Sequence, residues 1–263
     1  MKTILSLLLF SLLTSCGHMT KKSSQKKVYS PTISFSEDSK TFQANIELPK
    51  KFSDPLPLIV IVHEWWGRTE HITNVSQQLK KEGYATLAVD LFGDGRSVET
   101  PNEAQELSGP FYQNPQIGIE RLNKYIELAK NDPHIDPKKI FVVGYCFGGV
   151  QALNYARSGA DVKGVVSFHA NLKTTVTSPG VKAEVLVLNG LADLMVSAQE
   201  RAGLESEMKA LKAKYKVVNY KGASHAFTNP KSTEVGRKYN IPIAYNKKAA
   251  EASWKELLRF LKR

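Results

Sequence analysis

Gly144-Tyr145-Cys146-Phe147-Gly148-Gly149 follows the apolar run Ile140-Phe141-Val142-Val143 and has the G-x-nucleophile-x-G form of a strand-to-helix elbow. A thiol stands where most such turns carry a hydroxyl. The turn at the nucleophile is sharp, and glycines two residues to either side leave room for backbone and helix to approach closely. A thiol nucleophile needs a base to become a thiolate and a third group to orient that base, and both follow later in the chain. Asp193 comes just after Val185-Leu186-Val187-Leu188, in the turn Asn189-Gly190-Leu191-Ala192-Asp193. His225 comes after Tyr215–Tyr220, in Lys221-Gly222-Ala223-Ser224-His225. Each has a second reading when taken alone. Cys146 reads as a buried small hydrophobe, Asp193 as a turn or helix-capping aspartate, and His225 as a surface histidine.

His63-Glu64-Trp65-Trp66-Gly67 follows the run Leu58–Val62, where an α/β-hydrolase supplies one oxyanion-hole amide. The hole is therefore assigned to the backbone N–H groups of Trp65 and Phe147, donors to charge that appears only as a carbonyl is attacked. The Trp65 and Trp66 side chains read either as core or as pocket wall. Trp66, Tyr145 and Arg96 are the candidate substrate contacts. His63, Glu64 and His71 raise the question of zinc, but H-E-x-x-H needs histidine at position 67, where glycine stands. No metal and no cofactor are expected.

The elements that must carry these groups are legible as periodicity. Segments 29–35 and 41–48 alternate apolar and polar residues around Glu37-Asp38-Ser39-Lys40, as an antiparallel hairpin does. Six later runs, 58–62, 85–89, 140–143, 165–168, 185–188 and 215–220, are apolar with little or no alternation, which predicts strands covered on both faces and hence parallel. Helical patterns lie between them near 70–82, 116–130, 147–158, 197–213 and 246–262, with Ser197-Ala198-Gln199-Glu200 as a capping box. Alternation of this kind predicts a doubly wound α/β fold with a mostly parallel sheet of about eight strands. The stretch 92–116, rich in glycine and proline, is too long for a plain connection and is expected to cover the sheet edge where ligands bind.

The chain has 263 residues and 42% hydrophobic content, enough for one domain, assigned to 29–263. Residues 1–15 read as a lipoprotein signal peptide: Lys2, then the apolar segment Ile4 to Leu13, too short to span as a mature helix. Leu13-Thr14-Ser15-Cys16 resembles a lipobox, so Cys16 is the expected lipidation site; the other reading is an ordinary signal peptide with an incidental cysteine. Residues 16–28, with Lys21, Lys22, Lys26 and Lys27, read as a flexible tether. An exported bacterial lipoprotein, on the outer rather than the inner membrane, is the expected localisation. With Cys16 assigned to lipid, Cys146 has no disulfide partner. The formal charge of +11 suits an anionic membrane surface beside the tether. Export and the lack of a basic stripe interleaved with aromatics argue against nucleic acid.

Nucleophile, acid, histidine is the order of α/β-hydrolase triads. The chain resembles the dienelactone hydrolase family in His63-Glu64-Trp65-Trp66-Gly67, Asp90-Leu91-Phe92-Gly93, the Cys146 elbow, the turn ending in Asp193 and His225-Ala226-Phe227. The resemblance implies an α/β-hydrolase fold, hydrolysis of a small-molecule ester or lactone and a Cys146-His225-Asp193 triad. It also implies that Glu64 contacts the resting thiol and shifts when substrate binds. Enzymes of that family that act on dienelactone grip its carboxylate with arginines, one shortly after the catalytic histidine, where this chain has Phe227-Thr228-Asn229-Pro230. The alternative function is a catalytically inactive, lipid-anchored binding or scaffold protein on the same fold.

Overall fold

A computed structural model describes residues 29–263; the expected signal peptide (1–15), lipidation site Cys16 and tether (16–28) lie outside the described residues. Eight strands form one sheet: β1 (Thr32–Glu37), β2 (Lys40–Glu47), β3 (Leu56–Val62), β4 (Ala85–Val89), β5 (Ile135–Tyr145), β6 (Gly164–Phe168), β7 (Glu184–Gly190) and β8 (Tyr215–Tyr220). Their order across the sheet is β1-β2-β4-β3-β5-β6-β7-β8. β1 and β2 form the expected antiparallel hairpin, and β2 joins β4 antiparallel. From β4 to β8 every pairing is parallel. This is the α/β-hydrolase architecture.

The pleat explains why the strands carry apolar residues on both sides. In β3, Leu58, Val60 and Val62 join a core with Leu122, Tyr125, Leu153 and Met208, from helices α3 (Gln116–Ala129), α4 (Phe147–Arg157) and α5 (Ala198–Ala210). Ile59 and Ile61 point the other way, against Val75 and Leu79 of α1 (Glu70–Lys81) and Leu257 and Phe260 of α7 (Lys247–Leu261). Alternation along β2 is cleaner: Phe42, Ala44 and Ile46 are buried and their neighbours Thr41, Gln43 and Asn45 are exposed.

Two helices depart from the sequence expectation. Residues 92–116 contain α2 (Pro101–Gln113), opened by a Thr100/Glu103 capping box with Pro101 in the first turn. Gly109 and Pro110 near its C-terminal end hide the helical pattern, since proline within a helix removes a backbone donor. The other is α6 (Ser232–Tyr239), eight residues long, with Asn240 in the left-handed conformation at its end. It buries only Ser232 and Gly236, too little apolar surface to write a period.

Candidate active site

Cys146 lies between β5 and α4 with φ 54° and ψ −117°, a conformation that costs a non-glycine residue roughly 1–3 kcal/mol. Neighbouring backbone leaves the turn no other course. A Cβ on Gly148 would stand 2.3 Å from the Val62 carbonyl oxygen, and one on Gly144 would stand 2.0 Å from that of Gly148. The Cys146 N–H donates to Phe168 O at 3.0 Å, which ties the elbow to β6. The positive end of the α4 dipole faces the sulfur and favours negative charge there.

Asp193 and His225 reach the same rim because their loops are stitched together. Leu191 N–H donates to Tyr220 O and Ala192 N–H to Ala223 O, both at 2.9 Å. His225 Nδ1 lies 2.8 Å from Asp193 Oδ2, and its Nε2 lies 3.1 Å from Cys146 Sγ. Both Asp193 and His225 are buried, and the second Asp193 oxygen accepts from Met195 N–H at 2.8 Å. Burial opposes a charged imidazole, but the negative charge of Cys146 and the hydrogen bonds and charge of Asp193 outweigh it and push the His225 pKa up to about 10. An imidazolium thus donates from Nδ1 to the carboxylate and from Nε2 to the sulfur.

Among the described residues, no protein group accepts from the N–H of Trp65 or of Phe147, the two expected oxyanion donors. His63 fixes the first of them. It is fully buried, and burial lowers its pKa to about 4, so at neutral pH it is uncharged. Its Nδ1–H donates to Glu64 O at 2.7 Å, and its Nε2 accepts from Leu91 N–H at 3.2 Å. Gly67 N–H also donates to Glu64 O, at 3.1 Å. The carbonyl held by these two donors belongs to the same peptide plane as the Trp65 N–H, so holding one aims the other.

Glu64 lines the cavity as expected, but in this structure it does not hold the thiol. Its Oε2 accepts from Asn229 Nδ2 at 2.8 Å, while the sulfur pairs with His225. Trp66 lines the cavity and Trp65 is half-buried against it. Two expected substrate contacts are corrected. Tyr145 precedes the nucleophile on a pleated strand, so its ring turns to the α1/α7 face and stacks on Phe168 with centroids 4.6 Å apart. Arg96 is exposed in the turn built on Gly93 and Gly95 and borders a separate cleft with Glu106 and Phe111. Its charge stays in water and does not enter the Cys146 cavity.

That cavity has a volume of about 450 Å³, and α2 supplies one wall through Gln105, Ser108, Tyr112 and Gln113. Reading the sequence for motifs missed these residues and Asn229. The Thr100-Pro101-Asn102-Glu103 cap was the available signal for α2. A larger cleft of about 790 Å³ adjoins across Tyr112 and Val150 and contains no triad residue. Among the described residues no three histidine, cysteine or acidic side chains group so as to hold a metal.

Known proteins share this architecture. A dienelactone hydrolase-like promiscuous phosphotriesterase from metagenomic libraries superposes with a TM-score of 0.82 at 23% identity, over 89% of this chain and 97% of its own. Dienelactone hydrolase from Anabaena variabilis gives 0.56 at 21% identity, over 81% and 95%. In sequence, protein usf of Aquifex pyrophilus is 24% identical over 212 residues, 78% of this chain and 87% of the relative. A protein of Escherichia coli (strain K12), provisionally named carboxymethylenebutenolidase, is 24% identical over 225 residues, 81% of this chain and 79% of the relative. The family model described as "Dienelactone hydrolase family" matches residues 42–263, and so the chain belongs to that family of hydrolases, with cysteine in the nucleophile's place.

Proposed function

We propose that the protein hydrolyses carboxylic esters or lactones through a thioester formed on Cys146. The thiolate attacks the carbonyl carbon, and the π electrons move to oxygen, which is held by the Trp65 and Phe147 N–H groups. Collapse of this intermediate breaks the ester C–O bond, and His225 passes its Nε2 proton to the departing alkoxide. Neutral His225 then takes a proton from water. The hydroxide adds to the thioester, the C–S bond breaks, and the acid leaves with thiolate and imidazolium restored. Asp193 keeps the ring oriented and stabilises its charge throughout.

Glu64 is the second state of the sulfur in this reading. Held by Asn229, it leaves the thiolate to His225; turned to the thiol, it caps an unreactive resting form. A sulfur kept protonated until substrate arrives resists oxidation to sulfenic and sulfinic acid. The observation that carries the proposal is the unbroken contact chain, 3.1 Å from sulfur to imidazole and 2.8 Å from imidazole to carboxylate. Cys146→Ala is expected to abolish turnover of a reactive aryl ester while retaining the fold; undiminished hydrolysis sinks the proposal.

The same proposal covers where the enzyme works. Residues 1–15 direct export and are removed, Cys16 carries lipid, and 16–28 tether the catalytic domain to the outer membrane. The support is the run of apolar residues that stops at Leu13-Thr14-Ser15-Cys16, followed by Lys21, Lys22, Lys26 and Lys27 beside an anionic surface. A Cys16→Ser variant is expected in the soluble fraction, and its retention in membranes refutes the anchor.

A further inference from the structure

The Cys146 cavity is nearly bare of compensating positive charge. Its lining includes Trp65, Trp66, Tyr112, Val150, Met195 and Ile243, and no lysine or arginine. The one cation present, His225, is spent on Cys146 and Asp193. Glu64 adds an acidic group that is 1% exposed and whose hydrogen-bond partner, Asn229, is a neutral amide. The arginines near the site in sequence do not line the cavity: the Arg68 guanidinium lies beside Gly95, and Arg201 donates to the Val196 carbonyl at 2.7 Å. Arg96 is exposed in another cleft, and Arg157 is buried with Glu207, bonded to both its oxygens at 2.8 and 2.7 Å. Arg121 is held by Glu37 and the Leu91 carbonyl.

An anionic substrate entering this cavity gives up its hydration beside the Glu64 carboxyl group and finds no lysine or arginine in the lining to receive its charge, because the one cation, His225, is already paired with Cys146 and Asp193. An uncharged ring meets the reverse. Trp65 and Trp66 pack edge to face with centroids 4.8 Å apart, and with Tyr112 they present aromatic surface to whatever sits above the sulfur. A volume of about 450 Å³ lies in the range of small-molecule pockets and holds a ring and a leaving group together.

We infer that the enzyme selects uncharged esters with an aromatic or comparably bulky apolar acyl group and rejects esters that carry a carboxylate. The inference rests on the thioester reading above and narrows it from esters in general to one class. Discrimination arises chiefly from what the cavity refuses, since charge without a partner is penalised more heavily than a missing apolar contact.

Three 4-nitrophenyl esters with a common leaving group test it: 4-methylbenzoate, 4-carboxybenzoate and acetate, each corrected for its rate with hydroxide. The 4-methylbenzoate is expected to exceed the 4-carboxybenzoate in kcat/KM by at least about tenfold. Met195→Arg, which brings a cation to the half-exposed rim, is expected to shrink that ratio at least about threefold. Trp66→Ala is expected to raise KM for the 4-methylbenzoate more than for the acetate. Equal or faster turnover of the 4-carboxybenzoate by the wild type overturns the charge selection, and a uniform Trp66→Ala effect overturns the aromatic preference. Both results leave the thioester mechanism standing. Failure of the wild type to hydrolyse any of the three, or equal hydrolysis by Cys146→Ala, overturns that mechanism and this inference with it.

Discussion

The two sides of the Cys146 cavity are built on different principles. On one side, Cys146, Asp193 and His225 each sit one to five residues beyond a strand of the same parallel sheet, in loops joined by backbone hydrogen bonds. On the other, α2 brings Gln105, Ser108, Tyr112 and Gln113 from a segment that contributes no strand. Reacting atoms need placement to a few tenths of an ångström, which a sheet edge provides; substrate shape needs only a wall, which a single packed helix supplies. Changes on the first side should therefore cost turnover, and changes on the second should cost binding.

The largest expected effect is that of Asp193→Asn. The amide keeps the side chain's shape but has a single acceptor oxygen, so it cannot accept from both Met195 N–H and His225 Nδ1–H, and it removes a charge that stabilises the imidazolium. A loss of about 10³- to 10⁴-fold in kcat on an aryl ester is expected, by analogy with serine triads. The ring itself gives an independent readout. Since folding raises the His225 pKa from 6.5 to about 10, its contribution to stability is complete below pH 6.5 and is withdrawn as the pH climbs through about 10. In Asp193→Asn an NMR titration of His225 should show a midpoint below the wild-type value, and the melting temperature should fall less between pH 7 and 10. An unchanged midpoint would detach Asp193 from the histidine.

His63→Phe comes next. The ring that pins Glu64 O is lost, and the Trp65 N–H is free to turn away from the sulfur. Loss of one oxyanion donor typically costs 10²- to 10³-fold in kcat, so about 10² is expected for one left present but loosened. KM should change little, because the donor acts on charge developed after binding. Leaving the Leu91 N–H without its acceptor adds a stability cost of about 1–3 kcal/mol. As His63 is already neutral at pH 7, the pH profile above pH 5 should keep its shape; a new titration there would make His63 a proton carrier instead of a pin.

The same contrast governs what could be read from the chain. The elbow was legible because a strained turn admits only glycine around it, so steric demand writes itself into adjacent residues. Asp193 and His225 were legible by order, each following a recognisable strand. Most of the eight strands and five helices were legible because they bury an apolar face; β8, at the sheet edge, has no fully buried residue and was legible by its valine and tyrosine content instead of by cover on both faces. By contrast, α2 mixes a good cap at Thr100 with Gly109 and Pro110, and its Ala104, Ser108 and Phe111 contacts form a weak stripe. Tyr145 was misplaced by reading proximity in sequence as proximity in space, when one step along a strand reverses the face. The partnership of Glu64 with Asn229 spans 165 positions and no local pattern encodes it.

Thr100→Ala should have the smallest effect and tests the second side most directly. The Thr100 hydroxyl accepts from Glu103 N–H and donates to the Glu103 carboxylate, so the substitution removes the hydroxyl half of the capping box and leaves only the backbone N–H of residue 100 donating to Glu103. A cost of about 1 kcal/mol is expected, which for a domain of this size lowers the melting temperature by about 2–4 °C. Ala104, Ser108 and Phe111 remain buried and keep the body of α2 seated, so only its first turn loosens. Gln105 follows that turn into the cavity, whereas Tyr112 lies two turns further on. KM for a bulky aryl ester should therefore rise by less than about threefold and kcat should hold, because no reacting atom is carried by this helix. A tenfold fall in kcat would mean that α2 positions the chemistry as the strand loops do, and the division between the two sides would fail.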